Sequence, residues 1–159
     1  MFPLNRVEIS EKQIDPPPWK VRLRRFVGIV LKYMNVRRCT VSILLCNDEY
    51  IKTLNSTYRE KDEATDVLSF VQHQNDVVND TKRSGRKRPV INRQLGDIVI
   101  SLERAETQAE SLGVTINDEI KRLSVHGILH LLGMDHDDED ENDSMICVQE
   151  SILERYSEV

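Results

Sequence analysis

Three of the four histidines in this chain fall within eleven residues, His126-Gly127-Ile128-Leu129-His130-Leu131-Leu132-Gly133-Met134-Asp135-His136. Residues four apart on a helix lie on one face, so His126 and His130 can share a metal ion. Gly133 lets the chain leave the helix and turn back, which brings His136 toward the same point. Three imidazoles plus a water are a common catalytic zinc arrangement, in which the metal lowers the water pKa from about 15.7 to about 7. Neutral ligands leave the full metal charge for that task. Ligand softness favours one Zn2+ per chain over magnesium or calcium, with other transition metals possible. The competing reading is a set of core histidines on a buried helix. It suits one histidine better than three, because burying several imidazoles without a shared partner is costly.

The same spacing invites comparison with the metzincin signature H-E-x-x-H-x-x-G-x-x-H. Every fixed position matches except one, where Gly127 stands in place of the glutamate. That glutamate is the general base of peptide hydrolysis. The ligand frame is therefore zincin-like, while the base for protease chemistry is missing.

The elements that must hold these residues are legible along the chain. Val7–Ile9 reads as a short strand, and the prolines after Asp15 set up a helix from about Trp19 to Met34, with Leu23, Phe26, Val27, Val30 and Leu31 at spacings of three and four. Thr40–Leu45 is β-branched and apolar, hence a buried strand. Asn47 or Asp48 is a good N-cap for a helix through Ile51 and Leu54. Val67–Phe70 and Asp97–Ser101 read as two further strands. Gln72–Gln94, between them, reads as a long polar and basic loop, of the kind that is functional or disordered in compact domains. A helix from Leu102 to Leu112 stops at Gly113. Asn117 or Asp118 caps the next, which runs to Leu132 and is apolar on most sides, as a central helix should be. Met145, Val148, Ile152 and Leu153 mark a last amphipathic helix.

Composition sets bounds on the partners. The chain has 159 residues, net charge −5, 39% hydrophobic and 31% charged residues, which suits one soluble domain over residues 1–159. Nucleic-acid binders are often basic overall, so here such a role needs a local basic surface. Lys82, Arg83, Arg86, Lys87, Arg88 and Arg93 supply one; they either grip RNA backbone or simply keep a loop soluble. Three cysteines, Cys39, Cys46 and Cys147, fit neither a disulfide framework nor a CxxC site, and reduced thiols point to a cytoplasmic location. The N-terminus lacks the apolar stretch of a secretory signal, and no run is long enough for a membrane span.

The block His-Gly-x-Leu-His-Leu-x-Gly-x-Asp-His at 126–136 resembles the YbeY family of endoribonucleases. So do Leu54-Asn55 with Tyr58-Arg59, Thr65-Asp66-Val67-Leu68-Ser69-Phe70, Leu95-Gly96-Asp97-Ile98, and Met145 with Gln149. The order and spacing fit from about Asn47 to Leu153. Met134 stands where tyrosine or phenylalanine is usual, and Val71 where proline is common. The resemblance implies an α+β domain with a small mixed four-stranded sheet, about five helices and a central metal-binding helix. It implies a metal-dependent endonuclease for single-stranded RNA, acting in maturation of the small-subunit rRNA 3′ end and in ribosome quality control, with ribosomal particles as partners.

In such an enzyme Arg59 is the candidate for clamping phosphate oxygens. Asp135 either orients a histidine ligand, acts as a base, or is a turn residue. Asp66, Ser69 and Asp97 read as site walls or capping groups, Met145 as core packing, His73 as exposed, and the acidic run after Asp135 as a solvated helix start. Two other classes stay open: a zinc peptidase-like hydrolase, against which Gly127 argues, and a ribosome-associated assembly factor with a mainly structural metal.

Overall fold

The structure, a computed structural model, describes residues 4–72, 93–134 and 144–159. Asp135, His136, His73, the acidic run at 137–141 and the basic cluster at Lys82–Arg88 lie outside the described residues. Those that are described form four strands and five helices in the order β1 (Arg6–Lys12), α1 (Lys20–Tyr33), β2 (Cys39–Cys46), α2 (Asp48–Arg59), β3 (Val67–Val71), β4 (Arg93–Ser101), α3 (Leu102–Leu112), α4 (Ile116–Leu131) and α5 (Ser144–Arg155).

The strands form one mixed sheet in the order β1-β2-β4-β3. β1 and β4 run parallel to β2, and β3 runs antiparallel to β4. The alternation of a strand divides the apolar residues between two faces. Val41, Ile43 and Leu45 of β2, with Ile98 and Ile100 of β4, join the main core under α1, α4 and α5. Cys46, Val99 and Leu68 turn to the other face and pack against Ile51 of α2. Burial pushes the Cys46 thiol up to about 12, which leaves it an inert packing residue.

Local chemistry explains most element ends. The Asn47 side chain accepts from Tyr50 N and starts α2, and Gly113 ends α3 at φ 66°. α4 begins at a different cap from the two the sequence suggested. Thr115, rather than Asn117 or Asp118, is the N-cap, and Asp118 answers from N3 to complete a reciprocal capping box. The loop expected to run to Gln94 ends earlier, since Arg93 and Gln94 already pair with Cys39 and Thr40 as part of β4.

β4 carries an irregularity opposite Thr40 and Val41, where Leu95 is the extra residue before Gly96. Gly96 sits at φ +154°, and a Cβ there would strike the Phe70 carbonyl oxygen of β3 and the Leu131 side chain of α4. The absence of a side chain lets three elements meet beside the end of α4.

Candidate functional site

α4 is buried along most of its length. Leu123, Ser124, Val125, Gly127, Ile128 and Leu129 are all shielded, whereas His126 and His130 are half-exposed. The two imidazoles therefore stand on a stripe of the helix that lines a cleft. Their Nε2 atoms are 3.0 Å apart, with the rings at 74° to each other. Zinc–nitrogen bonds at tetrahedral angles place neighbouring ligand atoms roughly 3.3 Å apart. The pair is thus within a few tenths of an ångström of the spacing that two ligands of one transition-metal ion need. Among the described residues no third His, Cys, Asp or Glu completes a metal cluster, and the residue expected to do so, His136, lies outside them.

The helix stop expected at Gly133 is present. Gly133 adopts φ 88°. Its N–H donates to His130 O while Met134 N donates to Leu129 O, which is the Schellman pattern of a helix stop. The helix therefore ends at a turn three residues before His136 in sequence.

Gly127 has a packing reason. A Cβ there would lie 2.8–3.0 Å from three atoms of Ile98 on β4. Position 127 faces the sheet, so the place of the metzincin glutamate is closed by Ile98.

The cleft beside the histidines holds about 550 Å³ and is lined by Asn55, Arg59 and Lys61 from the end of α2, Thr65 from the connection, and Ser69 and Val71 from β3, together with His126 and His130. Two separate blocks of the sequence, 54–70 and 126–130, thus form one site. Arg59 is exposed and donates to Ser69 O at 3.0 Å, with its guanidinium 5.9 Å from the Phe70 ring centre. Its anchor is a neutral carbonyl, and among the described residues no carboxylate pairs with it, so its charge stays available to a ligand. Asn55, almost fully buried, fixes the connection by donating to Glu63 O.

Asp66 is a brace. Its Oδ1 accepts from Val67 N and Thr65 Oγ1, and its Oδ2 accepts from Gln108 Nε2. Gln108 Oε1 accepts from Arg122, which is paired with the buried Glu119 through two hydrogen bonds. The cleft wall is tied by this chain of contacts to α3 and to the start of α4. Of the residues named from sequence, Ser69 is a cleft wall, Asp66 a capping group, and Met145 is buried in the main core. Asp97 lies on the opposite face, in a groove with Ser10, Ser42, Tyr58 and Phe70, where burial raises its carboxyl pKa.

Lys61 went unnoticed in the sequence, although the run Arg59-Glu60-Lys61 at a helix end was a visible signal. The edge-on pair Tyr58–Phe70, with ring centres 5.4 Å apart, was also missed, because it joins residues on different elements.

A family model for endoribonuclease YbeY matches residues 6–157. The chain belongs to the YbeY family. Endoribonuclease YbeY of Treponema denticola is 44% identical over 151 residues, covering 93% of this chain and 92% of the relative. The proteins of that name from Treponema pallidum strain Nichols and from Sulfurihydrogenibium sp. are each 37% identical, covering 100% and 96% of this chain and 94% and 93% of their own lengths. The solution structure of TM1509 from Thermotoga maritima, 26% identical, superposes with a TM-score of 0.63 over 96% of this chain and 90% of that one. The α+β fold expected from the YbeY resemblance is the fold observed.

Proposed function

We propose that this YbeY-family chain is a metal-dependent endoribonuclease that cuts single-stranded RNA, acting as one cytoplasmic domain on ribosomal RNA, at the small-subunit 3′ end and in quality control on ribosomal particles. Its relatives carry the name endoribonuclease. The observation that carries the reading is the single cleft that brings His126 and His130 together with Arg59 and Lys61. A polyanionic backbone needs fixed cations beside the reacting phosphate, and a peptide bond does not.

His126, His130 and His136 would hold one Zn2+ or similar ion. When bound, the ion supplies Lewis-acid charge at a phosphoryl oxygen and makes a water acidic near neutral pH. Arg59 then neutralises charge growing on the phosphoryl oxygens through its remaining N–H groups. Asp135, next in sequence to His136, orients a histidine ligand or moves a proton. Gly127 counts against the peptidase reading on two grounds. It brings no base, and Ile98 occupies the space where a base would stand. Among the described residues no helix is long and apolar enough to cross a membrane.

The test uses labelled single-stranded RNA and casein as parallel substrates, each with and without a chelator. Cleavage of RNA that stops with the chelator and with His130→Ala is expected, and Arg59→Ala should slow it about a hundredfold, the scale of a lost charge-stabilising donor. Zinc at a hundred times its dissociation constant should also stabilise the fold by about 2.7 kcal/mol, read as a rise in melting temperature absent from His130→Ala. RNA cleavage that survives His130→Ala would sink the proposal. Metal-dependent casein cleavage would revive the peptidase, and binding to ribosomal particles without cleavage would point to an assembly factor.

A further inference from the structure

β3 is an edge strand, so half of its backbone groups point away from β4, and two bonds establish which half. Ser101 N donates to Asp66 O at 2.9 Å and Gln72 N donates to Leu95 O at 3.3 Å. In an antiparallel ladder such inward pairs alternate, here through Leu68↔Val99 and Phe70↔Asp97. Val67, Ser69 and Val71 therefore turn their N–H and C=O groups outward. Ser69 and Val71 line the cleft that contains His126 and His130.

Two of the outward groups are already engaged by side chains. Val67 N donates to Asp66 Oδ1 at 2.8 Å, and Ser69 O accepts from Arg59 at 3.0 Å. An extended peptide added to an edge needs a donor and an acceptor from the same residue, and at Ser69 the acceptor already carries a bond from the Arg59 side chain. A phosphate group only accepts, and backbone N–H groups are common phosphate donors. The Ser69 and Val71 N–H groups remain as donors beside an arginine, and such a set suits a ligand that accepts.

The two N–H groups sit two residues apart, roughly 6.6 Å along a strand, too far to share one oxygen. We propose that the Ser69 and Val71 N–H groups donate to successive phosphates of a single-stranded RNA lying along β3, with Arg59 on the same phosphate as Ser69. The inference rests on the nuclease reading and assigns its cleft a polarity, with the RNA backbone tracking the strand. Val71 stands where proline is common in the family, so its N–H is a donor that this chain adds to the cleft, and the residue is 47% exposed.

Proline tolerates an edge position whose N–H faces outward, so Val71→Pro deletes the donor, with Val71→Ala as the side-chain control. Binding of fluorescein-labelled single-stranded RNA is read by anisotropy. Val71→Pro is expected to bind about tenfold more weakly than Val71→Ala, as for a lost hydrogen bond to a charged group. A thermal melt reports whether the fold holds. If the proline variant fails to fold, the α-hydroxy acid analogue of valine at 71 removes the same N–H and should show the same loss. Equal affinities of the donor-deleted protein and Val71→Ala overturn the phosphate track while leaving the nuclease reading intact. A wild-type chain that binds no RNA overturns both.

Discussion

Restoring the missing glutamate should not make this chain a peptidase. Gly127→Glu completes the H-E-x-x-H spelling, but the new Cβ starts 2.8–3.0 Å from Ile98 Cγ2, Cδ1 and Cγ1 and leads into the sheet. Overpacking of this kind costs about 1–3 kcal/mol, and burial of an unpaired carboxylate adds several more. Against a total stability of about 5–15 kcal/mol, the variant should be largely unfolded or melt far below the parent. Gly127→Ala separates the two costs, because it keeps the close contact without the charge. Its steric cost of about 1–3 kcal/mol is offset by about 1 kcal/mol of helix propensity, a net loss of roughly 0–2 kcal/mol. At about 2–4 °C per kcal/mol for a chain of this size, melting should fall by up to roughly 8 °C. In an Ile98→Ala background the alanine should instead raise stability, since all three contacts lie beyond the Ile98 Cβ. Melting temperatures by circular dichroism and casein hydrolysis are the assays. A Gly127→Ala protein several degrees more stable than the parent, or a folded Gly127→Glu protein with metal-dependent casein cleavage, would refute the packing account.

Two other substitutions test the frame around the site. Gly96→Ala should lose about 2–4 kcal/mol, combining a strained φ of +154° with a clash against the Phe70 carbonyl, and denaturant melts should show the midpoint falling accordingly. Asp97 carries a carboxyl pKa raised by burial. Its folded form holds the proton more tightly than the unfolded chain, so its contribution favours folding at low pH and is lost as pH rises through the folded pKa. Asp97→Asn should therefore stabilise the protein at neutral pH, and the gain should shrink as pH falls below the carboxylate range. A gain that does not change with pH would contradict the assignment.

Much of the frame was legible because it rests on local rules. The four-residue spacing of His126 and His130 needs only a helix. The β-branched, apolar run Thr40–Leu45, the Asn47 cap and the Gly113 and Gly133 stops are likewise written within a few residues. Asn117 and Asp118 were the caps expected near the start of α4, and Thr115 takes the place because it, unlike either of them, finds an acid at N3. Arg93 and Gln94 were read as loop because hydrophobicity reports packing, and at the end of β4 the gain is backbone pairing with Cys39 and Thr40. The cleft wall was harder to see. Arg59 meets Ser69 across a turn, and Asp66 meets Gln108 forty-two residues away. Glu119, an acid 1% exposed, reads in sequence as a surface helix residue until Arg122 is found beside it.

The parallel pairing of β2 also sets a timetable for the chain's birth. One neighbour, β1, precedes it, but the other is β4, with Ser42 opposite Asp97. At a synthesis rate of about 5–20 residues per second, the 55 residues between those partners take roughly 3 to 11 seconds to emerge. During that interval an apolar strand has one edge unsatisfied, the template on which chains aggregate. The nascent protein therefore depends on β1 covering one side of β2 from the start, and substitutions that weaken β1 should lower the yield of soluble protein more than they lower the melting temperature of what does fold.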